Sequence, residues 1–360
     1  MKFLDLFAGI GGFRLGMESA GHECIGFCEI DKFARASYKA IHDTKGEIEL
    51  HDITRVTDES IRRIGRVDAI CGGFPCQAFS IAGNRRGFED TRGTLFFEIA
   101  RFASILRPQY LFLENVKGLL NHENGITFET IISTLDELGY DVEWQVLNSK
   151  DFGVPQNRER VFIIGHFRGE CTRRIFPLSG QSQSISNKSV VKMGNVNPSG
   201  NGMNGEVYQA DGLAPTLTTN KGEGQKIAIK SNTIKQFGVL QPNFNQCGVV
   251  YETDGIAPTI RAYQGGGLEP KIIQRGHGYN QGGVHEIAPT LTSNSYHENN
   301  HLSFGYRIRK LTPRECWRLQ GFPDWAFDKA QEVNSNSQLY KQAGNSVTVS
   351  VIAAIAKELQ

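Results

Sequence analysis

A cysteine on a tight loop is the residue of this chain best placed to act as a nucleophile. Cys76 follows two glycines and Pro75, directly after the apolar run 67–71, which predicts a buried strand. The glycines permit close backbone approaches and the proline stiffens the turn, so we expect the Cys76 thiol at the carboxyl edge of a sheet. Cys71, inside the predicted strand, is instead typical of a small buried hydrophobe.

A carboxyl group and two arginines further along the chain could assist such a thiol. Glu114 ends the apolar run 110–113, where an apolar setting would raise its pKa enough to keep a proton. Arg158 and Arg160 alternate in the stretch 156–160, and guanidinium groups suit planar polar partners. A helix cap, a salt-bridge carboxylate and surface arginines are the ordinary alternatives.

A glycine-rich turn near the start of the sequence indicates a ligand site. Gly9, Gly11 and Gly12 lie between a predicted strand and a predicted helix, where backbone amides can approach a ligand. Nicotinamide sites, flavin sites and a simple tight turn fit the same pattern. Glu29 ends the second predicted strand and suits ribose hydroxyls, and Asp52 closes the third strand region. A helix cap or a surface charge is the alternative for both carboxylates.

The pattern along the chain predicts the fold that must position these residues. Residues 1 to about 165 alternate β-rich runs with helical periodicity, which is typical of an α/β, doubly wound, mostly parallel sheet. The segment 176–305 is rich in Gly, Asn, Ser and Thr and predicts a smaller, loop-rich β lobe. A terminal helix over 346–359 is expected to pack back on the first lobe. We therefore expect domains at 1–175 and 176–335, with 336–360 completing the first.

The predicted lobe contains three similar stretches, at 207–217, 250–260 and 284–291. The first two carry Asp211-Gly212 and Asp254-Gly255 between β-prone flanks, which is a strong signal for a short hairpin. Repetition at this spacing indicates duplicated supersecondary structure, so we expect stacked hairpin units.

Composition excludes several classes of protein. The 39 basic residues nearly balance the 38 acidic ones, so any nucleic-acid surface must come from local clusters such as Arg85-Arg86 or 307–318. The seven cysteines are scattered, which indicates neither a disulfide framework nor a zinc site. No apolar run approaches membrane-spanning length. We expect a cytoplasmic, soluble monomer that uses no metal.

Taken together, these motifs resemble those of the DNA (cytosine-5) methyltransferases. The resemblance covers residues 1 to about 165 and 307–357, and it includes the stretches 312–316 and 342–347. It implies a Rossmann-like domain that uses S-adenosylmethionine, with the lobe serving as a target-recognition region that reads the major groove of duplex DNA. A cognate restriction endonuclease is a further partner that the resemblance allows.

The resemblance also implies which residues bind the cofactor. Phe7 would lie against the adenine, Glu29 on the ribose and Asp52 near the adenine amine. Ile30 departs from the family pattern, because some relatives carry an aromatic residue there that packs on the adenine. The full set implied is Asp5, Phe7, Ala8, Gly9, Gly11, Gly12, Glu29, Ile30, Asp52, Ile53, Pro75, Asn345 and Val347.

The chemistry implied is addition of the Cys76 thiolate to carbon 6 of a flipped-out cytosine, which activates carbon 5. Glu114 would meet ring nitrogen 3, Arg158 would brace that site and Arg160 would contact oxygen 2. A helix N-cap is a second interpretation of Asn345. The DNA-contacting residues implied near the cysteine are Gln77, Ser80, Arg85 and Arg86, with 82–92 expected to close over phosphates.

Three other classes stay open from the sequence. A nicotinamide oxidoreductase shares the glycine turn but needs neither the Pro-Cys loop nor Glu114. An RNA methyltransferase would use the same chemistry, although the long lobe favours duplex DNA. A DNA-binding module with an inactive pocket is disfavoured because Cys76, Glu114, Arg158 and Arg160 are all present.

Overall fold

The computed structural model forms two compact units, described here separately. The first comprises Met1–Val190, Gly212–Gly224 and Thr312–Gln360, and the second comprises Val191–Asp211 and Gln225–Leu311. The residues that the structure describes are 1–75, 95–170, 172–180, 189–195, 205–217, 226–228 and 311–359, and the strand backbones 229–230, 236–239, 249–251, 272–274, 283–285, 300–301 and 306–310.

A seven-stranded sheet forms the centre of the first unit. Its strands are β1 (Lys2–Leu6), β2 (Glu23–Cys28), β3 (Ile48–Leu50), β4 (Ala69–Gly73), β5 (Tyr110–Val116), β6 (Tyr140–Asn148) and β7 (Glu159–Phe167). The order is β3-β2-β1-β4-β5-β7-β6; β1 to β5 are parallel, and β7 runs antiparallel to both β5 and β6. The predicted doubly wound, mostly parallel sheet is confirmed.

Helices cover both faces of this sheet. They are α1 (Gly12–Ser19), α2 (Lys32–Ile41), α3 (Asp58–Arg62), α4 (Leu95–Leu106), α5 (Ile126–Glu137), α6 (Pro313–Leu319), α7 (Asp324–Val333), α8 (Asn336–Asn345) and α9 (Val349–Ala356). Short 3-10 turns occur at Ile53–Arg55, Lys117–Gly125 and Ser149–Phe152. Strand alternation divides the core: Leu4 and Leu111 face one apolar layer, whereas Phe3 and Phe112 face the other.

The C-terminal helices pack against the start of the chain. Gly12 and Gly16 allow this, because a Cβ on Gly12 would lie 2.7 Å from Val347 Cγ2 and one on Gly16 would lie 2.5 Å from Ile352 Cγ2. Residues 312–335, predicted to belong with the β lobe, are part of the first unit. The buried Trp317 ring helps to hold them there, since its Nε1 donates to the Leu339 carbonyl at 3.0 Å.

The terminal helix predicted over 346–359 is present but shorter, as α9 over Val349–Ala356, and it packs on α1 of the first unit. Helix α8 ends at Asn345, Ser346 is extended, and α9 begins at Val349. In the link between the two helices, Arg158 Nη2 donates to the Ser346 carbonyl at 2.8 Å. Asn345 is the last residue of α8 and Thr348 is the N-cap of α9, so the interpretation of Asn345 as an N-cap is wrong.

The described residues of the second unit form short strands in three small sheets. β8 (Lys192–Asn195), β9 (Glu206–Gln209), β10 (Lys226–Lys230) and β16 (Tyr306–Lys310) form a sheet in the order β16-β10-β9-β8. β11 (Gln236–Val239) pairs with β12 (Val249–Tyr251), and β13 (Ile272–Gln274) lies between β14 (Gly283–His285) and β15 (Asn300–His301).

The hairpin predicted at Asp211-Gly212 is wrong. Strand β9, which precedes this turn, pairs with β8 and β10 rather than with the residues that follow. Those residues pair elsewhere in the first unit: Asn157 N donates to Ala214 O at 2.8 Å, and Ala214 N donates to Pro155 O at 2.9 Å. The second Asp-Gly turn and the repeat residues 286–291 lie outside the described residues.

Candidate active site

The carboxyl ends of five parallel strands place the predicted site residues along one edge of the sheet. Phe7 follows β1, Glu29 follows β2, Asp52 comes shortly after β3, Phe74 follows β4 and Glu114 lies near the end of β5. The order of the strands reverses between β1 and β4, and such a switch point leaves a crevice at this edge.

A single cavity of about 440 Å³ occupies this crevice. One end, called here the cofactor end, is lined by Phe7, Gly9, Glu29, Ile30 and Asp52. The other, called the base end, is lined by Pro75, Glu114, Arg158 and Arg160. The remaining lining residues are Ile10, Cys28, Asp31, Ala34, His51, Ile53, Gly73, Phe74, Leu95, Asn115, Val116, Lys341, Gln342, Gly344, Asn345 and Ser346.

Glu29 is fixed at the cofactor end by backbone amides. Gly9 N donates to Oε2 at 2.8 Å and Asp31 N donates to Oε1 at 2.7 Å. Burial raises the pKa of Glu29, and the two amide hydrogen bonds oppose that rise. Each carboxylate oxygen thus has one backbone partner, and Glu29 lines the cavity.

Asp52 is a cap as well as a lining residue. Its Oδ1 accepts from Thr54 N at 3.1 Å and from Thr54 Oγ1 at 2.7 Å, so it starts the short turn over Ile53–Arg55. These hydrogen bonds lower the pKa of Asp52. Phe7 also lines this end and adopts a φ of 55°, a left-handed conformation that is uncommon for a bulky residue.

Several residues of the predicted cofactor set shape the loop without lining the cavity. Asp5 is fully buried and accepts from Tyr38 Oη at 3.3 Å, and burial raises its pKa well above the usual value. Gly11 has a φ of 84°, and a Cβ there would lie 2.0 Å from His42 Nε2. Ala8, Gly12 and Val347 likewise do not line the cavity. The structure assigns these positions to packing around the turn.

The register of two strands brings an acid and an arginine together at the base end. Val116 lies opposite Arg160 and Glu114 lies opposite Phe162 across the antiparallel β5–β7 pair, so Glu114 and Arg160 are diagonal neighbours on one face. Arg160 Nε lies 2.9 Å from Glu114 Oε1. Burial raises the pKa of Glu114, even though Arg160 and Arg158 act to lower it.

Arg158 is buried beside this pair and is held by the C-terminal segment. Its Nη2 donates to Ser346 O at 2.8 Å and to Gly344 O at 3.4 Å, while Nε and Nη1 have no hydrogen-bond partner among the described residues. Burial and the nearby Arg160 lower the pKa of Arg158 to about 9. A buried cation with free donors is well suited to hold a polar ligand or to brace Glu114.

Asn115 and Lys341 are two of the polar lining residues that sequence reasoning missed. Asn115 is buried, and its Nδ2 donates to Phe74 O at 2.9 Å, which ties the end of β5 to the loop before Pro75. Lys341 reaches the cavity from α8, one helical turn before Asn345. That i, i+4 spacing was the signal available, because it places both side chains on one helix face.

The nucleophile candidate Cys76 and the predicted DNA contacts Gln77, Ser80, Arg85 and Arg86 lie outside the described residues. None of the helices in the described ranges combines the length and the apolar character that a membrane span requires. Within those ranges, no group of three or more His, Cys, Asp or Glu side chains is arranged to hold a metal ion.

Comparison with known proteins gives the family. Residues 1–360 match the model of the C-5 cytosine-specific DNA methylases. The orphan methyltransferase M.SPRI of Bacillus phage SPR is 36% identical, over 100% of this chain and 97% of its own length. The type II methyltransferase M.HhaI of Haemophilus parahaemolyticus is 36% identical, over 99% of this chain and 93% of its own.

Solved structures show the same fold. A mutant DNMT2 of Spodoptera frugiperda aligns with a TM-score of 0.58 at 21% identity, over 99% of this chain and 98% of that one. A putative DNA modification methyltransferase from an E. coli prophage aligns with a TM-score of 0.53 at 20% identity, with the same coverage of 99% and 98%. The chain belongs to the C-5 cytosine-specific DNA methylase family and is a DNA cytosine-5 methyltransferase.

Proposed function

We propose that this chain transfers a methyl group from S-adenosylmethionine to carbon 5 of a cytosine that is flipped out of a specific sequence in duplex DNA. The transfer would proceed through a covalent adduct between Cys76 and carbon 6. One observation carries the proposal: a single cavity joins the Glu29 end to Glu114, Arg158 and Arg160, and it includes Pro75, the residue before Cys76.

The cofactor end suits a nucleoside that carries a ribose. A carboxylate has about four lone-pair sites, so Glu29 can accept two vicinal hydroxyls in addition to its two backbone amides. The volume of about 440 Å³ falls within the roughly 300–1,000 Å³ usual for small-molecule sites. When bound, S-adenosylmethionine supplies an electrophilic methyl group on a sulfonium centre.

The base end supports activation of a pyrimidine. Carbon 5 of cytosine is a poor nucleophile until another group adds to carbon 6, and a thiolate is both strongly nucleophilic and able to leave again. The Cys76 sulfur would form the bond to carbon 6 while the displaced electron pair moves toward nitrogen 3. Glu114, whose pKa burial raises, would donate its proton there, with Arg160 on oxygen 2 and Arg158 behind the acid.

Turnover requires that these changes reverse. After carbon 5 is methylated, its proton would leave to water or hydroxide, the bond between sulfur and carbon 6 would break, and Glu114 would recover its proton from nitrogen 3. Because these ring atoms are stacked inside a duplex, the base must be extruded into the cavity first.

The first unit would act as the catalytic domain, and the second would provide the target-recognition lobe. Gln77, Ser80, Arg85 and Arg86 would contact DNA near the cysteine. The relatives include both an orphan and a type II methyltransferase, so a cognate restriction endonuclease stays a prediction.

Trapping the adduct tests this function directly. A duplex with 5-fluorocytosine at the target lacks the carbon 5 proton, so incubation with S-adenosylmethionine should leave the protein covalently attached through Cys76. Peptide mapping identifies the residue, and the unfluorinated duplex is the control. Cys76→Ser should form no adduct and still bind the cofactor. Absence of an adduct, or preferential labelling of tRNA over DNA, would contradict the proposal.

A further inference from the structure

An ion pair between distant parts of the chain borders the cofactor end of the cavity. Lys341 Nζ lies 2.6 Å from Asp31 Oδ2, and both residues line the cavity. The Lys341 side chain is 48% exposed and that of Asp31 is 26% exposed. The pair therefore lies where the cavity lining meets solvent.

Asp31 connects this ion pair to the ribose-binding candidate. Its backbone N–H donates to Glu29 Oε1 at 2.7 Å, while its Oδ1 caps α2 by accepting from Phe33 N at 2.8 Å. Arg35 holds the same turn from the other side, where Nη1 donates to the Glu29 carbonyl at 2.8 Å and to the Ile30 carbonyl at 2.9 Å. The turn 29–31 is thus held by Arg35 from within α2 and by Lys341 from α8.

Helix α8 does not depend on Lys341 for its position. Gln342 donates to Phe33 O at 3.1 Å and accepts from Ser37 Oγ at 3.0 Å. Asn334 donates to Phe33 O and to Ser37 Oγ, each at 2.8 Å. A substitution at Lys341 should therefore alter the turn 29–31 without detaching the helix.

We propose that Lys341 is a positioning residue for cofactor binding, which acts through Asp31 to hold the amide that orients the Glu29 carboxylate toward the ribose hydroxyls. This inference rests on the proposed function. The neighbouring Ile30 is aliphatic and 67% exposed, so the orientation of Glu29 carries a correspondingly larger share of nucleoside recognition.

Calorimetric titration of the full chain with S-adenosylhomocysteine measures this role. Lys341→Met keeps the aliphatic stem and removes the charge, and Asp31→Asn removes the charge but keeps a good N-cap residue. Each should weaken binding about two- to five-fold, the range that a partly exposed ion pair can supply. The double variant should bind no more weakly than the weaker single one, and Lys341→Arg should restore binding.

Lys192→Met provides a matched control in the second unit. Lys192 Nζ lies 2.7 Å from Glu206 Oε1, and the two side chains are 50% and 22% exposed, close to the values for Lys341 and Asp31. Loss of that pair should leave affinity for S-adenosylhomocysteine unchanged. A similar loss in both lysine variants would overturn the proposal.

A ribose analogue and steady-state kinetics separate positioning from a merely structural effect. The loss of affinity caused by Lys341→Met should become negligible for an S-adenosylhomocysteine analogue that lacks both ribose hydroxyls. In steady-state kinetics, the same substitution should raise the KM for S-adenosylmethionine and leave kcat unchanged. An equal loss with the analogue, or wild-type affinity in Lys341→Met, would overturn this inference alone. Failure of the wild-type chain to bind S-adenosylhomocysteine would instead refute the proposed function.

Discussion

The two ends of the cavity are built by different means. At the cofactor end, one Glu29 oxygen is held by the amide of Asp31 and the other by the amide of Gly9 in the turn after β1, and Asp52 caps its own turn. At the base end, Glu114 meets Arg160 only through the pairing of β5 with β7, and Arg158 reaches the carbonyl of Ser346 from across the chain. The contacts that fix Glu29 and Asp52 directly all lie between residues 9 and 54, whereas Arg158 and Ser346 are 188 positions apart, so the base end depends on the completed fold.

The ends also differ in how well their polar groups are satisfied. Both oxygens of Glu29 have hydrogen-bond partners, but Arg158 is buried with Nε and Nη1 unpartnered among the described residues. An unsatisfied buried donor costs about 1–3 kcal/mol. The base end therefore has unpartnered Arg158 donors that a ligand could bind, whereas Glu29 at the cofactor end is already held by backbone amides.

The largest expected effect separates the two ends by function. Glu114→Gln keeps the shape of the side chain but removes the transferable proton, so single-turnover methyl transfer should fall about 10²- to 10⁴-fold. Cofactor affinity should stay within about two-fold, because Glu114 is not at the cofactor end. Rapid-quench assays with labelled cofactor measure the single-turnover rate, and calorimetry measures the cofactor affinity.

The control and the pH dependence sharpen this prediction. Glu159→Gln alters the neighbouring exposed carboxylate, which pairs with Lys117, and should change the rate little. Burial raises the pKa of Glu114, so the wild type should lose its advantage over Glu114→Gln as pH rises through that pKa. The ratio of the wild-type rate to the Glu114→Gln rate at each pH removes the effect of thiol ionisation, because that effect is the same in both proteins. A pH-independent ratio would show that Glu114 is not the acid.

The next effect contrasts stability with activity at the two ends. Arg158→Met leaves the Glu114–Arg160 ion pair intact, and it removes unpartnered buried donors, which offsets the lost bonds to the Ser346 and Gly344 carbonyls. The free energy of unfolding should therefore change by less than about 1 kcal/mol, while methyl transfer falls about 10- to 100-fold. In Glu29→Gln, the side-chain NH₂ group replaces one of the two oxygens that accept from the Gly9 and Asp31 amides, so two donors face each other. This loss should destabilise the protein by about 1–3 kcal/mol. Urea denaturation without cofactor measures the stability of both variants. Equal destabilisation would contradict the predicted difference between the base end and the cofactor end.

The same contrast explains what could be predicted from sequence. Strand ends mark Glu29 and Asp52 directly, because a carboxylate after a β run reaches the carboxyl edge of a parallel sheet. The Glu114–Arg160 contact needs the register of β5 against β7, which no local pattern reveals. The terminal helix was predicted from its apolar periodicity, but its start at Val349 was placed three residues early and the bond from Arg158 to the Ser346 carbonyl was not foreseen, because it joins positions 188 residues apart.

A smaller effect tests whether packing rather than ligand contact explains the glycine turn. Gly12→Ala would place a Cβ 2.7 Å from Val347 Cγ2 and 3.2 Å from the Val347 carbonyl oxygen. Overpacking of this kind should lower the free energy of unfolding by about 1–3 kcal/mol. Gly118→Ala is the control, since a Cβ there meets no atom within 4 Å. If urea denaturation gives equal midpoints for both variants, the Gly12 contact is not limiting.

The smallest effect concerns His42, which packs under the glycine turn at the cofactor end. Its Nε2 lies 3.4 Å from the Ile10 carbonyl, and burial together with Arg14 and Lys329 lowers its pKa to about 3. Because an unfolded histidine titrates near about pH 6.5, the unfolded chain binds a proton that the native state refuses between these values. The stability due to neutral His42 is therefore complete above about pH 6.5 and is lost as pH falls, by about 1.4 kcal/mol per pH unit.

His42→Gln keeps a donor for Ile10 but cannot titrate, so between about pH 6.5 and about pH 5 it should lose about 1.5 kcal/mol less stability than the wild type. Urea denaturation of both proteins at the two pH values measures that difference. Identical pH dependence of the two proteins would mean that burial does not hold His42 neutral in the folded state.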